Sequence, residues 1–313
     1  AYEIHERLVG SEMCIRDRVM PTTKTTWFNN YDTQQGNDEM YSLNNGIKPY
    51  WNKLLTSFDT LGVTGLTARQ KDIDWLLSEN GVTYNVYNDP QGMHRPWNLN
   101  VVPFMLHQNE WAEVEAGLKQ RAELLNLVLK DVYGDRKLIK NGIVPYEVIY
   151  GHRGFLRQCS GMELQLEQYL SIYAADLCRG TDGRLWVVND RTEAPSGMGY
   201  ALENRSTTSR ILPDLYAEMK VKRLSGFFQE FNQMLIDAAP GKKENPNIVI
   251  LTPGSHNETY FEHAYMASFL GYPLVQGNDM VVRDGFLWMK SLQGLKQIDV
   301  VLRRVDDAFT DPL

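Results

Sequence analysis

The stretch 173–210 constrains this chain more than any other. It runs YAADLCRG, then TDGR, then LWVVNDRTEAPSGMGYALENRSTTSR. Asp182-Gly183 between two apolar runs is the strongest short-range signal for a β-hairpin, because that pair reaches the positive-φ conformations a tight turn demands. The spacing predicts one strand carrying Asp176 and a second, Leu185-Trp186-Val187-Val188, that runs into a dense polar segment. Pairing them would bring Asp176 near Asn189, Asp190 and Arg191. Oxygen ligands facing one another from adjacent strand ends suit a hard cation such as Mg²⁺, so Asp176, Asn189 and Asp190 are the candidate metal ligands. The turn Pro195-Ser196-Gly197-Met198-Gly199 offers backbone N–H groups and close approach, which a phosphate-binding loop requires. The same residue types also build ordinary turns, so spacing alone leaves both readings open.

Composition narrows the class. The 313 residues carry a net charge of −7 with 43% hydrophobic content, enough for a sizeable core in about two domains. An acidic balance argues against a general nucleic-acid binder. No apolar run approaches the roughly 20 residues of a membrane span. Cys14, Cys159 and Cys178 show no CxxC spacing, which points to a reducing cytosol rather than a disulfide framework or a zinc knuckle. Nothing in the sequence fixes an oligomeric state.

Residues 1–18 have no apolar core or cleavage site of a signal peptide. They resemble a translated sequencing-adapter read-through and are set aside from the fold reading. The sequence ends at Asp311-Pro312-Leu313 within a motif, which reads as a fragment of a longer gene. Residues 19–46 form a polar arm. Tyr50, Trp51, Leu54, Leu55, Phe58 and Leu61 then fall at helical spacing. A second helix is expected to open on the Thr67-x-x-Gln70 capping box, pack Ile73, Trp75, Leu76 and Leu77, and stop at Gly81. Strands are predicted over 82–87 and 101–104, with His94 between them as a packed side chain. The clearest helix spans 110–131, with Trp111, Val114, Leu118, Leu125 and Val128 as its stripe and Glu110 and Glu113 in its first turn. A short helix stops at Asn141-Gly142, and 212–239 is mostly helical.

A new unit begins at Asn247. Ile248–Leu251 reads as a buried strand, 258–270 as a helix ended by Gly271, and Pro273-Leu274-Val275 as the next strand, making a βαβ unit. An Asp284-Gly285 hairpin and a strand over 299–304 follow. The loop after the first strand, holding Gly254, Asn257 and Glu258, sits at the carboxyl end of a parallel strand, where α/β sheets place ligands. Asn257 is equally able to serve as the helix N-cap, with Glu258 in the first turn.

Four long runs carry a resemblance: VPYEV, YAADL…DRTEAPSGMGYALENR, LTPGSHNETYFEHAYMASFLG and VLRRVDDAFTDPL. Across nearly everything from about Tyr41 onward the chain resembles the circularly permuted ATP-grasp proteins of type 2, which are similar to glutathionylspermidine-synthetase-like enzymes. The resemblance implies an α/β (α+β) fold: a permuted ATP-grasp half, then a Rossmann-like pre-ATP-grasp unit, truncated at the C-terminus. The lysine-bearing, adenine-clamping half would come last. The implied divisions are 1–18 (adapter-derived), 19–105 (lead-in region), 106–240 (ATP-grasp half with the candidate metal and phosphate site) and 241–313 (incomplete Rossmann-like unit).

The implied activity is carboxylate–amine ligation driven by ATP and Mg²⁺ through an acyl phosphate, on a peptide, amino acid or polyamine, with the fragment itself inactive. Ser196, Gly197, Gly199, Asn204, Gly254, Asn257 and Glu258 become candidate ATP-binding residues. Relatives place an aspartate on the first strand, matched by Asp176, and an E-x-N at the end of the second. Those positions hold Asn189 and Arg191 here, so one carboxylate ligand is missing and a cation stands beside it. Arg191 is better suited to grip a phosphate or carboxylate bidentately. Arg191, Arg205 and Glu203 are therefore the candidate catalytic residues, with Arg210 a further anion-binding candidate. The departure keeps a second reading open, a non-catalytic ATP-grasp relative that binds a nucleotide or peptide.

Overall fold

The computed structural model describes residues 37–42, 46–86, 94–162, 164 and 168–310. The adapter-like segment and most of the polar arm lie outside the described residues. Tyr41–Ser42 (β1) pairs with Gly46–Ile47 (β2). The two expected helices are present and meet at Gly62, where φ is 64° and ψ is 175°; together they span α1 (Asn52–Glu79), and the second begins before Thr67 rather than at it. Thr67 does not cap anything. Its Oγ1 donates to the Val63 carbonyl at 2.9 Å inside the running helix, and Gln70 reaches the Leu99 carbonyl and the Val101 amide, each at 2.9 Å. The capping box fails here because the helical amides already have partners. Gly81 closes α1 as expected, at φ 64°. Ile73 and Leu77 are buried, but Trp75 is 61% exposed. It stands two residues from each of them, and so on the opposite side of the helix.

Thr83–Asn85 (β3) pairs with His94–Pro96 (β4). The predicted strand over 101–104 is absent: Pro103 offers no ladder donor, and Val102 and Phe104 are exposed. The His94 side chain lies outside the described residues. Gln108–Tyr133 forms α2, capped by His107, whose Nδ1 accepts from the Asn109 amide at 3.3 Å. Only Val132 of this helix is buried, so its apolar stripe is half-covered. Lys137–Lys140 (α3) ends at Asn141-Gly142 as predicted, and Tyr146–Tyr150 forms α4.

The hairpin is as expected: β5 (Ala174–Arg179) runs antiparallel to β6 (Leu185–Arg191). The chain continues into α5 (Met198–Ile211), α6 (Pro213–Glu218) and α7 (Ser225–Asp237). Next come β7 (Ile248–Leu251), α8 (Tyr260–Leu270) and β8 (Leu274–Val275). An antiparallel sheet of β9 (Met280–Arg283), β10 (Phe286–Ser291) and β11 (Gly294–Gln297) precedes β12 (Val300–Arg303) and α9 (Asp307–Thr310). The parallel sheet is ordered β12-β7-β8. After β7 the chain moves to one side for β8 and returns on the other for β12. The carboxyl ends of β7 and β12 therefore flank a topological switch point.

Three apolar clusters hold the chain together. One joins α1, α5 and α6 through Leu54, Phe58, Ile73, Leu77, Tyr200, Ile211 and Leu215. Another joins α7, α8, β7 and β12 through Phe228, Phe231, Leu235, Ile250, Met266 and Leu302. Val249, Val275 and Ile298 build the third, on the other face of the parallel sheet. Packing thus runs across both expected boundaries: α1 shares a core with α5, and α7 shares one with β7. No described helix is long and apolar enough to cross a membrane.

Candidate active site

Strand alternation divides the polar end of the hairpin between two faces. Asp176 lies opposite Asn189, and a bulge separates that pair from Leu177–Val187. On this outward face Arg191 grips Asp176, with Nε at 3.1 and 2.9 Å from its two oxygens and Nη2 at 2.8 Å; Asn189 Nδ2 donates to Asp176 Oδ2 at 3.2 Å. Arg191 first, then Asn189, hold the Asp176 carboxyl below the usual carboxylate range. Tyr84 of β3 lies near enough to act on the Arg191 charge, and its hydroxyl reaches Glu258 Oε2 at 3.4 Å. Arg191, Asp176 and Asn189 are therefore brought into one cluster.

Asp190 is not among them. It pairs with Ala175 across the hairpin and points to the opposite face. There Arg121 of α2 grips it with Nε and Nη2, both at 2.6 Å, and the Tyr173 hydroxyl donates to it at 2.6 Å. Burial, then this bond, push the Tyr173 hydroxyl up to about 12. Adjacent residues of a strand cannot share a face, so Asp176, Asn189 and Asp190 do not form a common ligand set. Among the described residues no group of three or more His, Cys, Asp or Glu is arranged to hold a metal. With Asp176 committed to a guanidinium and Asn189 turning its amide N–H toward it, these donors do not fit Mg²⁺.

The Pro195–Gly199 turn also departs from expectation. Its amides do face an anion, but the anion is Glu262 of α8. Gly197 N donates to Glu262 Oε2 at 2.7 Å and Gly199 N at 3.0 Å. Arg304, just past β12, donates through Nη2 to Glu262 Oε1 at 3.1 Å, to the Pro195 carbonyl at 2.8 Å and to Ser196 Oγ at 2.8 Å. Both side chains are buried, at 1% and 5% exposure. Burial pushes the Glu262 carboxyl up, opposed by Arg304 and the loop amides, and pulls Arg304 down, opposed by Glu262. Because every one of these partners is a donor, Glu262 accepts at both oxygens, as the ionised carboxylate does.

Most of the remaining predicted residues make contacts within the chain. Glu203 is buried on α5 and takes a bond from Asn80 Nδ2 at 2.7 Å and one from Thr207 Oγ1 at 3.3 Å. Asn204 accepts from Trp97 Nε1 at 2.9 Å, and Arg205 is half-buried beside it. Gly254, at φ 110°, donates to Thr252 Oγ1 at 3.2 Å. Asn257 is not the cap of α8, which starts later; its Oδ1 accepts from Thr259 N at 3.0 Å. Asn85 pins this loop by donating to the Ser255, Asn257 and Glu258 carbonyls. Reading by motif missed Glu262, His263 and Arg304. Their signal was a charged or polar residue set inside an otherwise apolar strand or helix pattern.

With the geometry in view, the comparisons give the class. The family model for circularly permuted ATP-grasp type 2 matches residues 103–313, and the chain belongs to that family, part of the ATP-dependent ligase superfamily. An uncharacterized protein of Mycobacterium tuberculosis is 39% identical over 286 residues, covering 89% of this chain and 32% of its own length. One from Synechocystis sp. is 35% identical over 282 residues, covering 90% and 59%. A second M. tuberculosis protein is 31% identical over 300 residues, covering 95% and 54%. The chain spans about a third to three fifths of the length of these relatives.

Proposed function

We infer that the chain is part of an ATP-dependent ligase that joins a carboxylate to an amine on a peptide, amino acid or polyamine. The γ-phosphoryl group of ATP would pass to the substrate carboxylate, releasing ADP; the amine would then attack the acyl carbon and expel phosphate. What supports this reading is family membership together with an open hairpin face whose Arg191 is 55% exposed at its side chain. Arg191 would grip an oxyanion bidentately, and Asp176 would hold its fork in place until the ligand arrives.

The test is ADP and phosphate release by the protein at its relatives' full length, with Mg-ATP and a panel of acids and amines. Arg191→Ala and Asp176→Ala are expected to cut turnover at least tenfold; full activity in both would remove this face from the site. One observation favours a second reading, a nucleotide- or peptide-binding module without turnover: the E-x-N of relatives falls on Asn189 and Arg191, so a carboxylate is missing and Arg191 occupies Asp176. Saturable Mg-ATP binding without turnover across the panel would establish that alternative.

A further inference from the structure

The Pro195–Gly199 loop is a built anion site. Its donors converge on Glu262 from two places: the amides of Gly197 and Gly199 at the start of α5, and the Arg304 guanidinium after β12, which also donates to Ser196 Oγ. Both glycines are required by it. Gly197 stands at φ 129°, and a Cβ on Gly199 would lie 2.9 Å from Glu262 Cγ. Arg304 Nη1 is buried and has no partner among the described atoms, beside a cavity of about 10 Å³ lined by Glu262, His263, Met266, Ile250 and Leu302. That is about room for one water and far too little for a phosphate.

We propose that this loop is an internal carboxylate clamp: Glu262 is its permanent anion, Glu262 and Arg304 are positioning residues that fix α5 and the Arg191 strand end against the switch point between β7 and β12, and the loop does not hold a phosphate of ATP. The loop leads straight from Arg191 to α5, so the clamp sets where the hairpin end sits relative to the α/β unit. This assignment stands whether or not the ligase reading holds, because it concerns which anion fills the loop.

Its test needs no turnover. In the chain labelled with nitrogen-15 glycine, the Gly197 and Gly199 amide signals should stay unmoved on titration with inorganic phosphate or Mg-ATP. In Glu262→Ala both signals should shift and melting should drop by several degrees. Excess formate, a carboxylate small enough for the vacated space, should return both signals and most of the lost melting temperature while leaving the native chain unchanged. Movement of both glycine signals with phosphate in the native chain would overturn the proposal, as would a folded Glu262→Ala that formate does not rescue. Should Glu262→Ala not fold, the native titration decides, with Glu262→Gln as the conservative check. It keeps an acceptor for the amides but loses the charge facing Arg304, so a smaller loss is expected than for alanine; an equal loss would count against the clamp.

Discussion

His263 lies between Thr252 Oγ1 at 2.9 Å and Thr259 Oγ1 at 3.3 Å, buried one residue along from Glu262. Burial, and then the Arg304 charge, push its imidazole down to about 3. The native state thus keeps it neutral while the unfolded chain protonates it near the ordinary histidine value. A lowered folded pKa on a base means that stability is full above about 6.5 and declines as the pH falls toward 3. Between pH 7 and pH 5 this one group should remove about 2 kcal/mol. Urea unfolding at the two pH values, in the native chain and in His263→Gln, measures it; an equal pH dependence in both would refute the assignment. At the same scale, Gly199→Ala should destabilise by more than 1 kcal/mol, because its methyl must displace Glu262 from its amides. Thermal melts compare it with Gly226→Ala, where a Cβ meets nothing within 4 Å.

Helix α1 shows how an element overrides propensity. Glycine to alanine inside a helix ordinarily stabilises by about 1 kcal/mol. At Gly62 the backbone is at φ 64° and ψ 175°, a region nearly closed to L side chains. Gly62→Ala should therefore cost about 1 kcal/mol or more, read from the urea midpoint. The hairpin was legible because Asp182-Gly183 and the flanking apolar runs act locally. Which face Asp190 takes was not, because register and the bulge after Asp176 decide it. Helix α7 is the simplest element: Phe228, Phe231 and Leu235 form one buried stripe. Phe231→Ala should cost about 3–5 kcal/mol through lost transfer energy and a residual cavity, seen in chemical denaturation.

At the scale of the molecule, cores cross the boundaries that the resemblance implied. Removing α7 exposes Ile248, Ile250, Met266 and Leu302, which it covers. A piece cut at 241–313 should therefore lack near-ultraviolet dichroism and bind ANS, as collapsed states without fixed packing do. A piece beginning at 222 should regain dichroism, and equal behaviour of the two would place α7 outside that core. The partly buried Arg179 works at the same scale. It donates to Glu39, to Glu110 at 2.5 Å and to the Gly183 carbonyl at 2.7 Å, tying the N-terminal segment, α2 and the hairpin together.

The sequence by itself determined the local elements: the Asp-Gly hairpins, α2, the βαβ order and the glycines that end helices, all set by turn chemistry and periodicity within a few residues. Its long motifs also determined the family. The tertiary structure decided which polar groups meet. Asp176 and Arg191 pair because they share a strand face, and Asp190 turns to Arg121 because it does not. Glu262 fills the Pro195–Gly199 amides because α8, 60 residues further on, packs against α5. The Asp190–Arg121 and Glu262–loop pairings depend on register and on which helix covers which sheet, and no window of sequence short enough to read holds both of their partners.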